Sequence, residues 1–211
     1  MPVRTDTPRT LYHAPRTRAF TALWLLEELG LDYRLDSSPL STGRHKTADY
    51  IRNIHPMGKV PALDDGGIIV TETGAMAVYL SDKYPAVDLA PGIGAPERAH
   101  FLRWIFFAGS VIEPALAEKL FKWDVPSSSV AWGSFEDMYR ALAFGVQDGP
   151  WLLGEKFSVA DVVVGSSARF GEMFGAFPSE GPVHDYVRRL SARPGFLRAS
   201  EIEATTAETE S

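Results

Sequence analysis

Two short runs hold residue types that, in their order and spacing, can do chemistry: YHAPRTRAF (Tyr12–Phe20) and HPMGKVPALDDGGIIVTETGAMAVYL (His55–Leu80). In the second run a proline sits inside an apolar segment, at Val60-Pro61. Its plain explanation is an edge strand, where the missing donor does no harm. A cis X–Pro bond, the form taken by about 5–6% of such bonds in folded proteins, would instead turn the Val60 N–H and C=O outward. A short extended peptide can then pair with Val60 by strand addition. Further on, Thr71-Glu72-Thr73-Gly74 opens a helix, and a threonine hydroxyl there can simply cap it. A helix start with free amides also suits a carboxylate, and Glu72 beside it suits an ammonium group. Glu72 and Thr73 together therefore match the free amino-acid end of a peptide.

The first run is a strand-to-helix turn. Thr17 reads as the N-cap of the helix, Tyr12 as a core strand residue and His13 as a surface one. The same turn gathers hydroxyls with Arg16 and Arg18 at a helix N-terminus, a place that stabilises an anion, including a thiolate. The chain contains no cysteine. Disulfides, thiolate metal sites and a cysteine nucleophile are thus excluded, and any sulfur has to arrive with the ligand.

Composition narrows the rest. A chain of 211 residues, 45% hydrophobic, can supply a sizeable core in one large domain or two small ones. A net charge of −6 without a Lys/Arg run argues against a nucleic-acid partner. No segment approaches the roughly 20 apolar residues of a membrane span, so no membrane partner is expected. MPVRTDTPRT lacks the apolar core of a signal peptide, which makes the expected location cytoplasmic. His45, His55, His100 and His184 show no metal-ligand spacing, and no metal site is expected.

The elements that must position these residues follow from periodicity. TLYHA reads as a strand, and TRAFTALWLLEELG as a helix with Phe20, Leu23, Trp24 and Leu26 on its apolar side and Gly30 as its stop. DYRLDSS is a second strand and ADYIRNI a short helix or turn ending before Pro56. KVPAL and GIIVTE pair through a tight turn at Asp64-Asp65-Gly66-Gly67, and TGAMAVYLSDKY is a helix ending at Pro85. PAVDLAPGIGAP has no period and reads as a linker. Beyond Pro96 only helical patterns follow: ERAHFLRWIFFAGSVIEPALAEKLF with a bend at Pro114, then SFEDMYRALAFGVQ, SVADVVVGSSARFGEMF and PVHDYVRRLSAR. The last stretch, SEIEATTAETES, is acidic, lacks aromatics and is expected to be mobile. The fold class is α/β plus all-α: an α/β domain over residues 1–85, a linker over 86–96, an all-helical domain over 97–200, and a mobile tail over 201–211.

LYHAPRTRAFTALWLLEELGLDYRL, NIHPMGKVPALDDGGIIVTETGAMAVYL and WLLGEKFSVADVVVG, in this order and spacing, resemble the cytosolic glutathione transferases over about Thr10 to Phe196. The resemblance implies a thioredoxin-like N-terminal domain packed on a helical-bundle C-terminal domain, in a homodimer. It implies glutathione as co-substrate, with no other cofactor, and a small hydrophobic electrophile as the other partner, in detoxification chemistry. By resemblance, Pro61 is the cis-proline, and the Val60 backbone pairs with the cysteinyl part of glutathione. Glu72 and Thr73 hold its γ-glutamyl end, and Lys59 lies near its glycine end. Ser158 and Asp161 match a capping box that nucleates a core helix. A free thiol with a pKa of about 8.5 is mostly protonated at neutral pH. A donor and a helix dipole lower that value and raise the nucleophilic fraction. The donor is assigned to Thr17, by side chain or backbone amide, with Tyr12 second and Arg18 third as an electrostatic helper.

The electrophile is expected between the domains, beside Trp104 and Phe107, although aromatics at helical spacing are more often plain core. Arg188, Arg189 and Arg193 read as a solvated helix face. Two functions fit: a transferase, with peroxide reduction as a further activity, or a non-catalytic scaffold or ligand carrier on the same fold. Keeping Val60-Pro61 together with Glu72-Thr73 favours the first.

Overall fold

The computed structural model describes residues 8–209. Five-residue β1 (Arg9–His13) starts the N-terminal unit, followed by α1 (Ala19–Leu29), β2 (Arg34–Ser37), α2 (Ala48–Asn53), β3 (Ala62–Asp65), β4 (Ile69–Thr71) and α3 (Thr73–Lys83). The sheet order is β2-β1-β3-β4. β1 runs parallel to β2 and antiparallel to β3, and β3 is antiparallel to β4. The β3–β4 turn is tighter than expected: Asp64 and Asp65 belong to the strand, and Asp65 N–H donates to Ile68 C=O at 2.9 Å across Gly66-Gly67. Both glycines have positive φ, 69° and 92°, the conformation that such a two-residue hairpin loop requires.

Next come α4 (Arg98–Phe107), one π-helical turn over Ala108–Ile112, α5 (Glu113–Phe121), α6 (Phe135–Gly145), α7 (Val159–Met173), α8 (Pro182–Ser191) and α9 (Pro194–Thr209). The bend expected at Pro114 is taken up by this π turn. There the chain widens before the proline, which follows at the first turn of α5.

The chain divides into two compact units, one running to Tyr79 and resuming at Arg193, the other Leu80–Ala192. This differs from the expected division in three places. The boundary falls inside α3, because Leu80 is buried and Asp82 pairs with Arg98 of α4 through two 2.9 Å bonds. The stretch read as a linker is tied to the helical unit: Leu89 C=O accepts from Val159 N–H at 2.8 Å and Pro91 C=O from Arg98 at 2.9 Å. The tail expected to be mobile is helix α9 through Thr209, and it belongs to the N-terminal unit.

α9 explains an oddity of α1. Nine of its eleven residues are buried, including Ala22 and Leu25 as well as the anticipated Phe20, Leu23, Trp24 and Leu26. A helix apolar on most sides has to be covered on most sides, and α9 packs along it. Phe196 meets Phe20 and Trp24 edge-on at 5.4 and 5.1 Å. Arg193, expected on a solvated face, instead grips Glu28 of α1 with two 2.8 Å hydrogen bonds.

In the helical unit α7 is central, with twelve buried residues. Its start is the expected capping box, in which Ser158 N–H donates to Asp161 Oδ2 at 2.9 Å. Trp104 is 3% exposed and its ring lies where a Cβ on Gly145 would be, so only glycine fits there.

Candidate functional site at one end of the sheet

The register gathers the candidate residues. Ala62 pairs with Tyr12 on one side and with Thr71 on the other. Carried on two residues, the same antiparallel register brings Val60 level with Ala14 and with Thr73. The β1–α1 turn, the residues before β3 and the start of α3 therefore meet at one end of the sheet.

The Val60–Pro61 peptide bond is cis. Val60 is half-buried, and neither its amide nor its carbonyl meets a backbone partner among the described residues. The preceding loop is fixed. Tyr50 Oη donates to Lys59 C=O at 2.9 Å, His55 Nδ1 accepts from Met57 N–H at 3.2 Å, and Lys46 Nζ donates to Met57 C=O at 3.1 Å. Gly58 has φ 58°, and a Cβ there would lie 2.7 Å from His45 C=O. Lys59 is exposed beside this rim. His55 is buried, and desolvation pushes its pKa down, with the neighbouring Glu72 opposing.

Glu72 is exposed and has φ 65°. For a residue with a Cβ, this left-handed conformation costs about 1–2 kcal/mol. Its carbonyl accepts from Met76 N–H at 2.9 Å, so its backbone already belongs to the start of α3 while its side chain stays in solvent. Thr73, half-buried, is the first residue of that helix.

At the β1–α1 turn the Thr17 hydroxyl donates to Ala14 C=O at 2.7 Å and accepts from Ala19 N–H at 3.1 Å. Its proton is committed to the turn, whereas the Thr17 amide has no partner among the described residues. Arg16 and Arg18 are exposed, and Arg16 has φ 60°. Tyr12 stands on the face of β1 away from α1 and meets Tyr50 edge-on at 5.8 Å. Burial first, then the Asp64 and Asp36 carboxylates, push its phenol above the usual value, so it remains a neutral donor. A small cleft between Tyr12, Asp36, Arg44, His45, Tyr50 and Val60 adjoins the same rim.

His13, expected at the surface, is buried at 2% exposure, because β1 alternates and its odd-numbered side chains face α1 and α9. Glu203 of α9, the residue it faces, lies in the acidic stretch expected to be mobile. Tyr50 could have been found as the apolar residue of a short helix placed just before the proline loop.

Of the pair assigned to the electrophile, Trp104 is packed inside the helical unit and Phe107 is half-exposed, 5.2 Å from it and edge-on. A groove of about 480 Å³ on the helical unit is lined by Arg169, Glu172, Met173, Val187, Arg188 and Ser191. It contains none of the assigned residues. Among the described residues no cluster of metal-ligating side chains is present, and no helix is long and apolar enough to cross a membrane.

Fold and site define a thioredoxin-like unit joined to an all-helical one. The family model described as Glutathione S-transferase, N-terminal domain, matches residues 7–82. The chain is 29% identical over 165 residues to the Disulfide-bond oxidoreductase YfcG of Escherichia coli, covering 72% of this chain and 75% of that protein. It is 30% identical over 158 residues to the Glutathione S-transferase-like protein gedE of Aspergillus terreus, covering 65% and 67%. Among solved structures, a glutathione transferase homologue from Sulfitobacter with bound glutathione superimposes with a TM-score of 0.74 at 26% identity, covering 92% of this chain and 97% of that one. The chain belongs to the glutathione transferase family.

Proposed function

We propose that this protein binds glutathione at the sheet end formed by Val60, Glu72, Thr73 and the β1–α1 turn, and activates its thiol for attack on a small apolar electrophile. Reduction of peroxides with the same thiolate is a further activity of that site. The reading includes a homodimer, a cytoplasmic location and a role in detoxification, as the family resemblance implies. The observation that carries it is the juxtaposition of an unpartnered Val60 backbone with a solvent-facing carboxylate held at left-handed φ. A scaffold gains nothing from that conformation; a peptide ligand's ammonium group does.

Within this site Val60 pairs with the cysteinyl backbone, Glu72 and Thr73 take the γ-glutamyl end, and Lys59 lies toward the glycine carboxylate. Of the alternatives at Thr17 the amide is favoured as the group facing sulfur, because the hydroxyl proton is spent on Ala14. Tyr12 and Arg18 are the secondary donors.

The test is calorimetry with glutathione, followed by turnover with a chloronitrobenzene, an isothiocyanate and a hydroperoxide. Glu72→Ala should weaken glutathione binding about 10-fold, the size of a lost charge-assisted hydrogen bond; unchanged affinity contradicts the assignment. No binding by the parent protein at millimolar glutathione would favour a scaffold or ligand carrier. Thr17→Val should remove the hydroxyl's bonds to Ala14 and Ala19, ahead of the N-cap at Arg18, costing about 1 kcal/mol of stability, while the pKa of bound glutathione stays put. A raised thiol pKa in that variant would return the donor role to the hydroxyl.

A further inference from the structure

We propose that Glu203, on the C-terminal helix α9, is a positioning residue for the thiol-facing turn, an inference that rests on the function proposed above. Its carboxylate holds that turn at one point and lies against the end of β1 at another. Oε1 accepts the Arg16 amide at 2.6 Å, and Oε2 lies 2.8 Å from His13 Nε2, out of line for a hydrogen bond. His13 is itself fixed from the other side, its Nδ1 3.0 Å from Ser37 Oγ of β2. The His13 side chain is fully buried and that of Glu203 is 16% exposed.

The effect is local and geometric. Arg16 sits at φ 60°, a conformation that a residue with a Cβ leaves unless something holds it. An amide-to-carboxylate bond is among the stronger holds available. The next amide in the chain is that of Thr17, the group assigned to the sulfur. A carboxylate about 190 residues away in sequence thus sets the direction of that amide without touching the ligand. Arg198 provides an internal control. It binds α9 to α1 through Glu27, with Nε donating to Oε2 at 2.9 Å and Nη2 to the Glu27 carbonyl at 2.8 Å, so both of these bonds go to α1 and neither to the turn.

The experiment compares the parent protein with Glu203→Ala, Glu203→Asp, Glu203→Gln and Arg198→Ala. It reads the thiolate absorbance of bound glutathione against pH, together with kcat and KM for one electrophile. Glu203→Ala should raise the bound thiol pKa by about one unit and lower kcat about 10-fold or more with little change in glutathione KM. Glu203→Asp withdraws the carboxylate by one methylene and should show part of the same shift. Glu203→Gln keeps an oxygen for the Arg16 amide and should restore most of the parent behaviour, and Arg198→Ala should match the parent. The inference is overturned if Glu203→Ala and Glu203→Asp keep the parent pH profile, or if Arg198→Ala shifts it equally, which would mean that docking of α9 alone matters. Should Glu203→Ala fail to fold, the Asp variant decides by the same criterion. Absence of glutathione binding in the parent protein overturns the proposed function and this inference together; parent binding with unshifted Glu203 variants overturns this one alone.

Discussion

Asp161→Ala is expected to destabilise the helical unit by on the order of 4 kcal/mol, since each buried group left without its partner costs about 1–3 kcal/mol. Asp161 is fully buried at the start of α7 and serves four donors. Oδ1 accepts from Leu152 N–H at 2.9 Å and Tyr186 Oη at 3.0 Å; Oδ2 accepts from Ser158 N–H at 2.9 Å and faces Ser158 Oγ at 3.2 Å. Alanine strands two backbone amides in the interior and leaves the Tyr186 phenol only its longer bond, 3.4 Å, to the backbone carbonyl at 161. Tyr186 cannot relieve this by ionising, because burial, the largest cause of its raised pKa, persists in the variant. Urea denaturation should show the loss as a lower midpoint with an unchanged slope, and a shift within about 1 kcal/mol would contradict it.

The same residue makes a pH signature. Burial pushes the Asp161 carboxyl up from 3.8 to about 6, outweighing the hydrogen bonds that favour its charge. Between those values the folded protein holds a proton that the unfolded chain has released. The contribution of this group to stability is therefore complete below pH 3.8 and is lost as pH rises through about 6. The full swing is on the order of 3 kcal/mol. Asp161→Asn, which does not titrate, should lack that component, so its deficit against the parent should be larger at the acidic end of the window than at neutral pH. An equal deficit at both ends would show that the carboxyl titrates alike in the folded and unfolded chain.

Local signals were legible wherever one residue type forces one backbone geometry. Gly66-Gly67 fixed the hairpin, Ser158 with Asp161 fixed the start of α7, and Gly30 the end of α1, at φ 63°. The candidate binding residues were legible for a similar reason: a proline in a strand and an acid before a helix cap are local facts. What escaped was tertiary. Nothing in Thr71-Glu72-Thr73-Gly74 marks Glu72, rather than Gly74, as the residue at positive φ. The tail is polar and lacks aromatics, so composition suggested mobility, yet it folds because α1 has more apolar surface than the sheet alone covers. That excess was visible in FTALWLL, an apolar run too continuous for a helix with one solvent face. The burial of His13 and the ion pair of Arg193 depend on the same missing helix.

Glu28→Ala should be the second large loss, about 3–5 kcal/mol, because it removes one partner of a largely buried charge pair. Glu28 Oε1 accepts from Arg193 Nε at 2.8 Å and Trp24 Nε1 at 2.9 Å, and Oε2 accepts from Arg193 Nη2 at 2.8 Å. Its side chain is 5% exposed and that of Arg193 24%. The chain makes room for this pair: a Cβ on Gly195 would lie 2.6 Å from Glu28 Cδ. Alanine at 28 takes their shared acceptor from the Arg193 guanidinium, just ahead of α9, and from the Trp24 indole N–H of α1. The two residues share these bonds, so Glu28→Ala/Arg193→Ala should cost clearly less than the sum of the single variants. Hydrogen exchange should then rise along α9 in Glu28→Ala, including the turn that carries Glu203. A Glu28→Ala variant within about 1 kcal/mol of the parent would class the pair with solvated surface bridges, and the anchoring of α9 would have to rest on Phe196 with its aromatic neighbours and on the Arg198–Glu27 bonds.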